Sequence, residues 1–542
     1  MRTKVIFITI VLIAFLLRFF NLSTNPPALT WDEAAWGYNA YSLGQDGKDE
    51  FGRFLPITYL ESFGDYKPPL YAYLSIIPVK VFGMNEFSTR FISALFGTLT
   101  VCITFFLVKE IFGKEKNLLA LLSTGILAIS PWHILLSRAA FEANVANFFI
   151  VLGIYLFFVS KRKRSLLLVC SVISFIASMY TFNSARIVAP LLFIILCIFS
   201  YKQMFVMKKQ VIIAGIIGMI LIAPLGLFLQ TPAAKLRFNE VNIFSDISII
   251  KTINQEVAND HNSLFSKGIH NRRLVYLIAY VKHYLDNLSP GFLFITGDGN
   301  PKFSIQSVGQ LYLWEIPFLI LGVFFLFRKR EGYWWFIPVW LLVGIIPAGV
   351  ARETPHALRI ESSLPTFQIL TAYGLVTCYL FLTRIKIKQM HLSHVYIGMI
   401  TVLLMGNVMY FLYLYFVQYP STYSGEWQYG YKQSIAYVQK EKDHYKNVII
   451  TNALGRPYIY YLFYTKFSPE TFRKNAVIRR DPFGFVHVDG FDKYLFVDNM
   501  LDVSQTKDNL YIGTQSDIPQ NAHVLKTIAL LNGKPALYIY TF

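Results

Sequence analysis

Residues 394–417, HVYIGMITVLLMGNVMYFLYLYFV, contain no Asp, Glu, Lys or Arg. A helix needs roughly 20 mostly apolar residues to cross about 30 Å of hydrocarbon, and a barrel strand needs only about half as many. The run therefore reads as a membrane-spanning helix, and a barrel is excluded. Ten other stretches read the same way: 4–20, 88–109, 117–132, 143–160, 165–182, 187–201, 210–229, 308–327, 333–350 and 360–383. The expectation is a polytopic α-helical membrane protein of about 11 spans. Composition agrees, since 54% of the 542 residues are hydrophobic, 17% aromatic and only 15% charged, which leaves too little polar surface for a soluble chain.

The net charge of +18 does not indicate nucleic acid, because the basic residues form small clusters between spans instead of one soluble face. The clusters are Arg2 and Lys4, Lys109 with Lys114 and Lys116, KRKR at 161–164, Lys202 with Lys208 and Lys209, RKR at 328–330, and Arg384 with Lys386 and Lys388. With eleven spans, every cluster falls on one side. The positive-inside rule makes that side the cytoplasm of a cell membrane, which puts the amino terminus inside and residues 418–542 outside. No small-x-small cleavage pattern separates the first run from NPPALTWDE, so it reads as a retained anchor. Cys102, Cys170, Cys197 and Cys378 all lie within apolar runs, where they serve packing.

The expected organisation is a membrane domain, 1–417, with a first outer loop at 21–87 and a fourth at 230–307, followed by an outer domain, 418–542. PPLYAYLSIIPVKVFGM and NRRLVYLIAYVKHYLDNL are apolar or amphipathic but too short or too interrupted to span, and read as interfacial helices. In the tail, NVIIT, KYLFVD, NLYIG and ALYIYTF have strand character, while YKQSIAYVQKEKDHY and GRPYIYYLFYTKF are helical, giving a small α/β domain.

Two adjacent acids, Asp32 and Glu33, stand in the first outer loop within PALTWDEAAWGYNAYSLG. Thr30 and Glu33 have capping-box spacing, so Glu33 is expected to cap a helix. Asp32 is not needed for that and points about 100° away, which makes it the better candidate base. On the same outer side are Lys67, Arg138, Glu142, Arg186, His356 and Arg359, each at a span boundary. Singly, such cations snorkel to headgroups, and Arg138 with Glu142 is open to a local i,i+4 pair. Together they suit a membrane-embedded anion beside a reacting hydroxyl.

As a set, RFFNLSTNPPALTWDEAAWGYNAYSL, DYKPPLYAYL, NEFSTRFISALFGTLTV, SPWHILLSRAAFEANVANFF, FITGDGNPKFS and PHALRIESSLPTFQILTAYGL resemble the C-type membrane glycosyltransferases, family 39 and the aminoarabinose-transferase-like group. The resemblance implies inverting transfer of a sugar from a polyprenyl-phosphate carrier to an acceptor hydroxyl at the outer face of the membrane. It implies Asp32, Glu33 and Glu142 as catalytic acids. It also implies Lys67, His356 and Arg359 at the donor phosphate, to which the local reading adds Arg138 and Arg186. Asp298 and Asn300 in GDGNPKF are candidate sugar or acceptor contacts or an ordinary turn. Expected partners are the lipid-linked donor, membrane lipids and a lipid, protein or cell-wall glycan acceptor, with no nucleic acid.

A divalent metal is left open. Some relatives place an acid directly before the lysine of Lys-Pro-Pro, where this chain has Tyr66, with Asp65 one position earlier. Asp65 is the one candidate ligand, with His261, His270 or His283 as partner. The alternative reading is a transporter or flippase of lipid-linked sugar, which would also want cations for phosphate but usually shows repeated halves and midplane polar sites.

Overall fold

Pro131 interrupts the third expected span. A proline lacks the N–H that would continue the helix and drives the preceding residue toward extended backbone. Ser130 adopts φ −60° and ψ 125°, so helix Asn117–Ile129 ends there and helix Pro131–Arg138 leaves at 55° to it. In the computed structural model the described residues are 1–542 other than 233, 235–241, 246, 262, 388, 389, 482 and 483. Lys388 of the last basic cluster and part of the 230–307 loop thus lie outside the described residues.

Each of the eleven expected spans contains a helix. Among the described residues five helical segments are individually long and apolar enough to cross a membrane: Glu86–Phe112, Glu142–Lys163, Lys208–Leu229, Glu361–Leu382 and Leu392–Tyr423. The bent pair would make a sixth, and four apolar helices are shorter, including Leu167–Met179, Ala185–Phe199 and Phe336–Val350. The two expected interfacial segments form helices Leu70–Phe82 and Arg272–Asp286.

The strands, in chain order, are β1 (Leu60–Ser62), β2 (Asp65–Lys67), β3 (Lys386–Ile387), β4 (Met390–His391), β5 (Asn447–Thr451), β6 (Val477–Arg480), β7 (Val486–Phe491), β8 (Tyr494–Val497), β9 (Asn509–Gly513), β10 (His523–Ala529) and β11 (Pro535–Thr541). The chain divides into two compact units. One comprises Met1–Ala14, Gly97–Leu136 and Ala143–Met409, and is helical apart from the small β3–β4 hairpin. Its helices Glu315–Lys329 and Thr366–Leu382 pack backbone to backbone at Gly322 and Gly374. A Cβ on Gly322 would lie 1.9 Å from the Leu370 carbonyl oxygen, and one on Gly374 2.0 Å from that of Phe318.

The other unit comprises Phe15–Phe96, Ser137–Glu142 and Tyr410–Phe542. Its seven-stranded sheet runs β10-β11-β9-β5-β8-β7-β6. β5 is parallel to both β8 and β9, and the flanking strands are antiparallel. NVIIT and NLYIG are β5 and β9 to the residue. One face of the sheet buries Ile449, Tyr511 and Tyr540 with Met500, while the other packs on the first loop. Leu29, Ala34, Tyr38 and Phe63 from the first loop share one buried cluster with Tyr431, Val448, Tyr461, Phe496 and Ile539. The compact units accordingly do not follow a division at 417/418.

Candidate active site

Helix Trp31–Asp46 opens as its sequence predicts. Thr30 is the N-cap, its side chain accepts from the Glu33 N–H, and the Glu33 carboxylate accepts from the Thr30 N–H at 2.9 Å. Glu33 does more than cap. Its Oε1 takes the Arg90 Nε–H at 2.8 Å and the Ala140 N–H at 2.9 Å, and Oε2 takes the Arg90 Nη2 at 3.2 Å. Arg90 is 0% exposed and also donates to the carbonyls of Leu22, Pro26 and Ala28. With four donors on its two oxygens and 1% exposure, Glu33, expected as a catalytic acid from its neighbour position, anchors the first loop. Arg90 was missed by the sequence reading. The signal was there: an arginine two residues inside the 88–109 span must find an interior partner.

Asp32, one residue earlier, faces elsewhere. Its side chain is 50% exposed and forms an ion pair with Lys67, which is 12% exposed. The Lys67 ammonium also lies 5.4 Å from the Trp36 ring centre and 5.5 Å from that of Phe63, within cation–π range. Glu142 begins helix Glu142–Lys163, and the charges acting on it are Lys67, Asp32 and Asp65. Acids and a cation from three separate stretches of chain thus gather within one compact unit.

The hairpin that carries Lys67 is held at its tip. β1 and β2 are joined by Phe63 and Gly64, at φ 61° and 85°, the two left-handed positions of a tight hairpin turn. A bulky residue seldom adopts that conformation. Here it is held in place: the Phe63 carbonyl accepts from Val486 N–H at 3.2 Å and from Arg456 Nη1 at 3.3 Å, and its ring lies 4.2 Å from the Arg456 guanidinium carbon. A Cβ on Gly64 would meet the Gly484 carbonyl oxygen at 2.5 Å. Nothing in residues 60–67 alone forecast this hairpin.

Arg138, expected at the donor phosphate, directs its guanidinium to groups of the chain itself. It is 0% exposed and donates to Tyr415 Oη and to the carbonyls of Leu17 and Asn25, with its guanidinium 4.9 Å from the Phe416 ring. Nor does it form an i,i+4 pair with Glu142, because helix Pro131–Arg138 ends at Arg138 and the next begins at Glu142.

The remaining candidates belong to the other compact unit. Asp298 gives one oxygen to the Asn300 N–H at 2.8 Å and the other to the Ala357 N–H at 2.7 Å, so its carboxylate clamps the PHALR turn. Burial pushes the Asp298 carboxyl up to about 6 despite those bonds. Asn300 is exposed and accepts from the Lys302 N–H. His356 is buried beside Phe303, with ring centres 4.9 Å apart and its Nδ1 3.8 Å from Asp298 Oδ2. Burial, reinforced by Arg359, pushes its imidazole down to about 3, so it is neutral at physiological pH. Arg359 is half-buried on the same turn. Arg186 donates to the Met179 carbonyl at 3.3 Å and stands 5.8 Å from the Phe228 ring. A cavity of about 760 Å³ between helices Leu167–Met179, Ala185–Phe199 and Lys208–Leu229 is lined almost wholly by apolar side chains, Phe175, Phe193 and Ile222 among them.

The histidines considered for a metal are otherwise engaged: His270 pairs with Glu256 at 2.8 Å, and His283 Nδ1 lies 2.8 Å from the Ala351 carbonyl oxygen. His261 lies in the turn after helix Ile247–Asn259, in left-handed backbone at φ 53°. Among the described residues no group of three or more His, Cys, Asp or Glu is placed to hold a metal.

The whole fold, helices and terminal sheet together, is similar to that of solved structures. ArnT from Cupriavidus metallidurans matches over 99% of this chain and 97% of its own length, at TM-score 0.54 and 9% identity. The same protein bound to undecaprenyl phosphate matches at TM-score 0.52 and 11% identity, over 98% and 97%. The family model described as dolichyl-phosphate-mannose-protein mannosyltransferase matches residues 8–241. An uncharacterized protein of Aquifex aeolicus is 27% identical over 255 residues, 46% of this chain and 48% of its own length, so the match spans about half of that relative. The resemblance drawn from the sequence thus holds for the fold and is joined by a family-model match to the amino-terminal part.

Proposed function

We propose that this chain is an inverting glycosyltransferase that moves a sugar from a polyprenyl-phosphate carrier to an acceptor hydroxyl at the extracytoplasmic face of the cell membrane. The observation that carries the reading is the Asp32–Lys67 pair, with Glu142 under the same charges, mounted on the buried Glu33–Arg90 anchor. Asp32 is the base: it takes the proton of the acceptor hydroxyl as that oxygen attacks the anomeric carbon. The bond from that carbon to the phosphate oxygen breaks, and its electron pair leaves with the lipid phosphate. Lys67 supplies fixed positive charge for the departing phosphate. In the absence of donor it neutralises Asp32, so arrival of the phosphate would draw the ammonium away and release the carboxylate for proton transfer. Glu142 positions the acceptor.

Arg359 and Arg186 are proposed as further cations toward donor phosphate. Neutral His356 is proposed as a hydrogen-bonding partner and not a charge. The apolar cavity of the helical unit suits a prenyl or acyl chain, which supports a lipid-borne donor. The location of all basic clusters in alternate inter-span segments supports the orientation.

The test is release of sugar from a polyprenyl-phosphate-linked donor by purified chain in nanodiscs. Asp32→Asn should lower turnover by about 10²–10⁴-fold with an unchanged melting temperature, the range for loss of a general base. Full turnover by Asp32→Asn removes the proposed base, and movement of intact donor between leaflets without cleavage assigns the chain to transport.

A further inference from the structure

A second cavity, of about 320 Å³ and polar, opens in the sheet of the unit that contains Asp32. It lies where the parallel strands β5 and β8 end, at Asn452 and Asp498, whose side chains meet at 2.8 Å. The crevice beyond the carboxyl ends of parallel strands is the ordinary ligand position of an open α/β sheet. The opposite side carries His487 with Nε2 3.3 Å from Asp481 Oδ2, and Arg456 and Phe485 complete the polar and aromatic lining.

The chemistry of this lining selects its ligand class. Two carboxylates, Asp481 and Asp498, face one guanidinium, Arg456, and Arg479 is shared between Asp489 at 3.2 Å and Asp498 at 3.5 Å, so the lining has no excess of positive charge. An anion is not favoured. Planar amide, carboxylate, imidazole and guanidinium groups offer donors and acceptors side by side, which suits the paired hydroxyls of a sugar ring, while Phe485 and Val486 offer an apolar surface to its C–H face. A volume of this size sits at the small end of ligand sites and admits one or two sugar rings.

We propose that this cavity is a carbohydrate-binding subsite that holds the acceptor, a role that rests on the transferase reading above. Its walls reach the catalytic loop directly. Arg456 and Val486 bond the Phe63 carbonyl, and Gly484 abuts Gly64, so an occupant braces the turn leading into Lys67. Acceptor binding is thereby linked to the position of the cation for the donor phosphate.

The experiment is saturation-transfer NMR on the full chain in nanodiscs with methyl β-D-glucopyranoside, methyl α-D-mannopyranoside and N,N′-diacetylchitobiose, beside the donor-release assay. At least one sugar should receive saturation, unaffected by Asp32→Asn, and both Asn452→Ala and Asp498→Ala should weaken it by about tenfold, or about 1.4 kcal/mol. Melting temperatures establish that both variants fold. The proposal is overturned if no sugar receives saturation, if the signal survives both substitutions, or if inorganic phosphate displaces the sugar. Sugar binding without donor release would instead count against the transferase reading alone.

Discussion

Asp32 and Glu33 are neighbours with opposite fates, and the difference is where each points on the first turn of a helix. Glu33 turns inward to a fully buried arginine, so removing either partner strands a charge. Arg90→Met should lower stability by about 3–5 kcal/mol, seen as a large drop in melting temperature, whereas Asp32→Asn should leave it unmoved. A third first-loop acid behaves differently again. Glu50 is completely buried, its Oε2 accepting from Asn39 Nδ2 at 3.1 Å and its Oε1 from Tyr458 Oη at 3.2 Å. Burial, with Asp49 beside it, pushes its carboxyl from the ordinary 4.5 up to about 8. The folded chain therefore keeps a proton that the unfolded chain gives up. Stability from the protonated acid is complete below about pH 4.5 and is lost as pH rises through about 8. Glu50→Gln should raise the melting temperature at pH 9 and leave it little changed at pH 5.

At the scale of elements, the β1–β2 hairpin is the piece on which the site turns. Gly64→Ala would push a methyl group into the Gly484 carbonyl and place a side chain at φ 85°, shifting the hairpin that delivers Lys67. The expected outcome is a rise in donor KM of about tenfold, roughly 1.4 kcal/mol, with the fold retained by circular dichroism. The places of the helices and strands such as β5 and β9 were legible because hydrophobic runs and β-branched alternation are local signals. The capping box at Thr30 was legible for the same reason. The hairpin was not, because Phe63 in left-handed backbone is held by Arg456, 393 positions away, and by Val486, later still. β6 escaped notice too: its VIRR stretch is wholly exposed and lacks an apolar face. Arg138 and Asp298 were assigned to ligands because a sequence cannot tell a charge facing a cavity from one consumed by backbone groups.

For the molecule as a whole, the shared core of first loop and terminal sheet makes the last 120 or so residues structural for the site and not an appendage. Ending the chain at residue 418 removes Tyr431, Val448, Tyr461 and Phe496 from the cluster that buries Leu29, Tyr38 and Phe63. Donor release should vanish with every acceptor, and limited proteolysis should cut within residues 47–67 where the full chain resists. Retained activity of the truncated chain would show that the loop holds itself. The same shared core sets a schedule during synthesis. The anchor at Glu33 needs only the first 140 residues, yet the strap over Phe63 waits for β7, so a nascent chain already threaded into the bilayer holds its hairpin tip unfastened until residue 486 emerges.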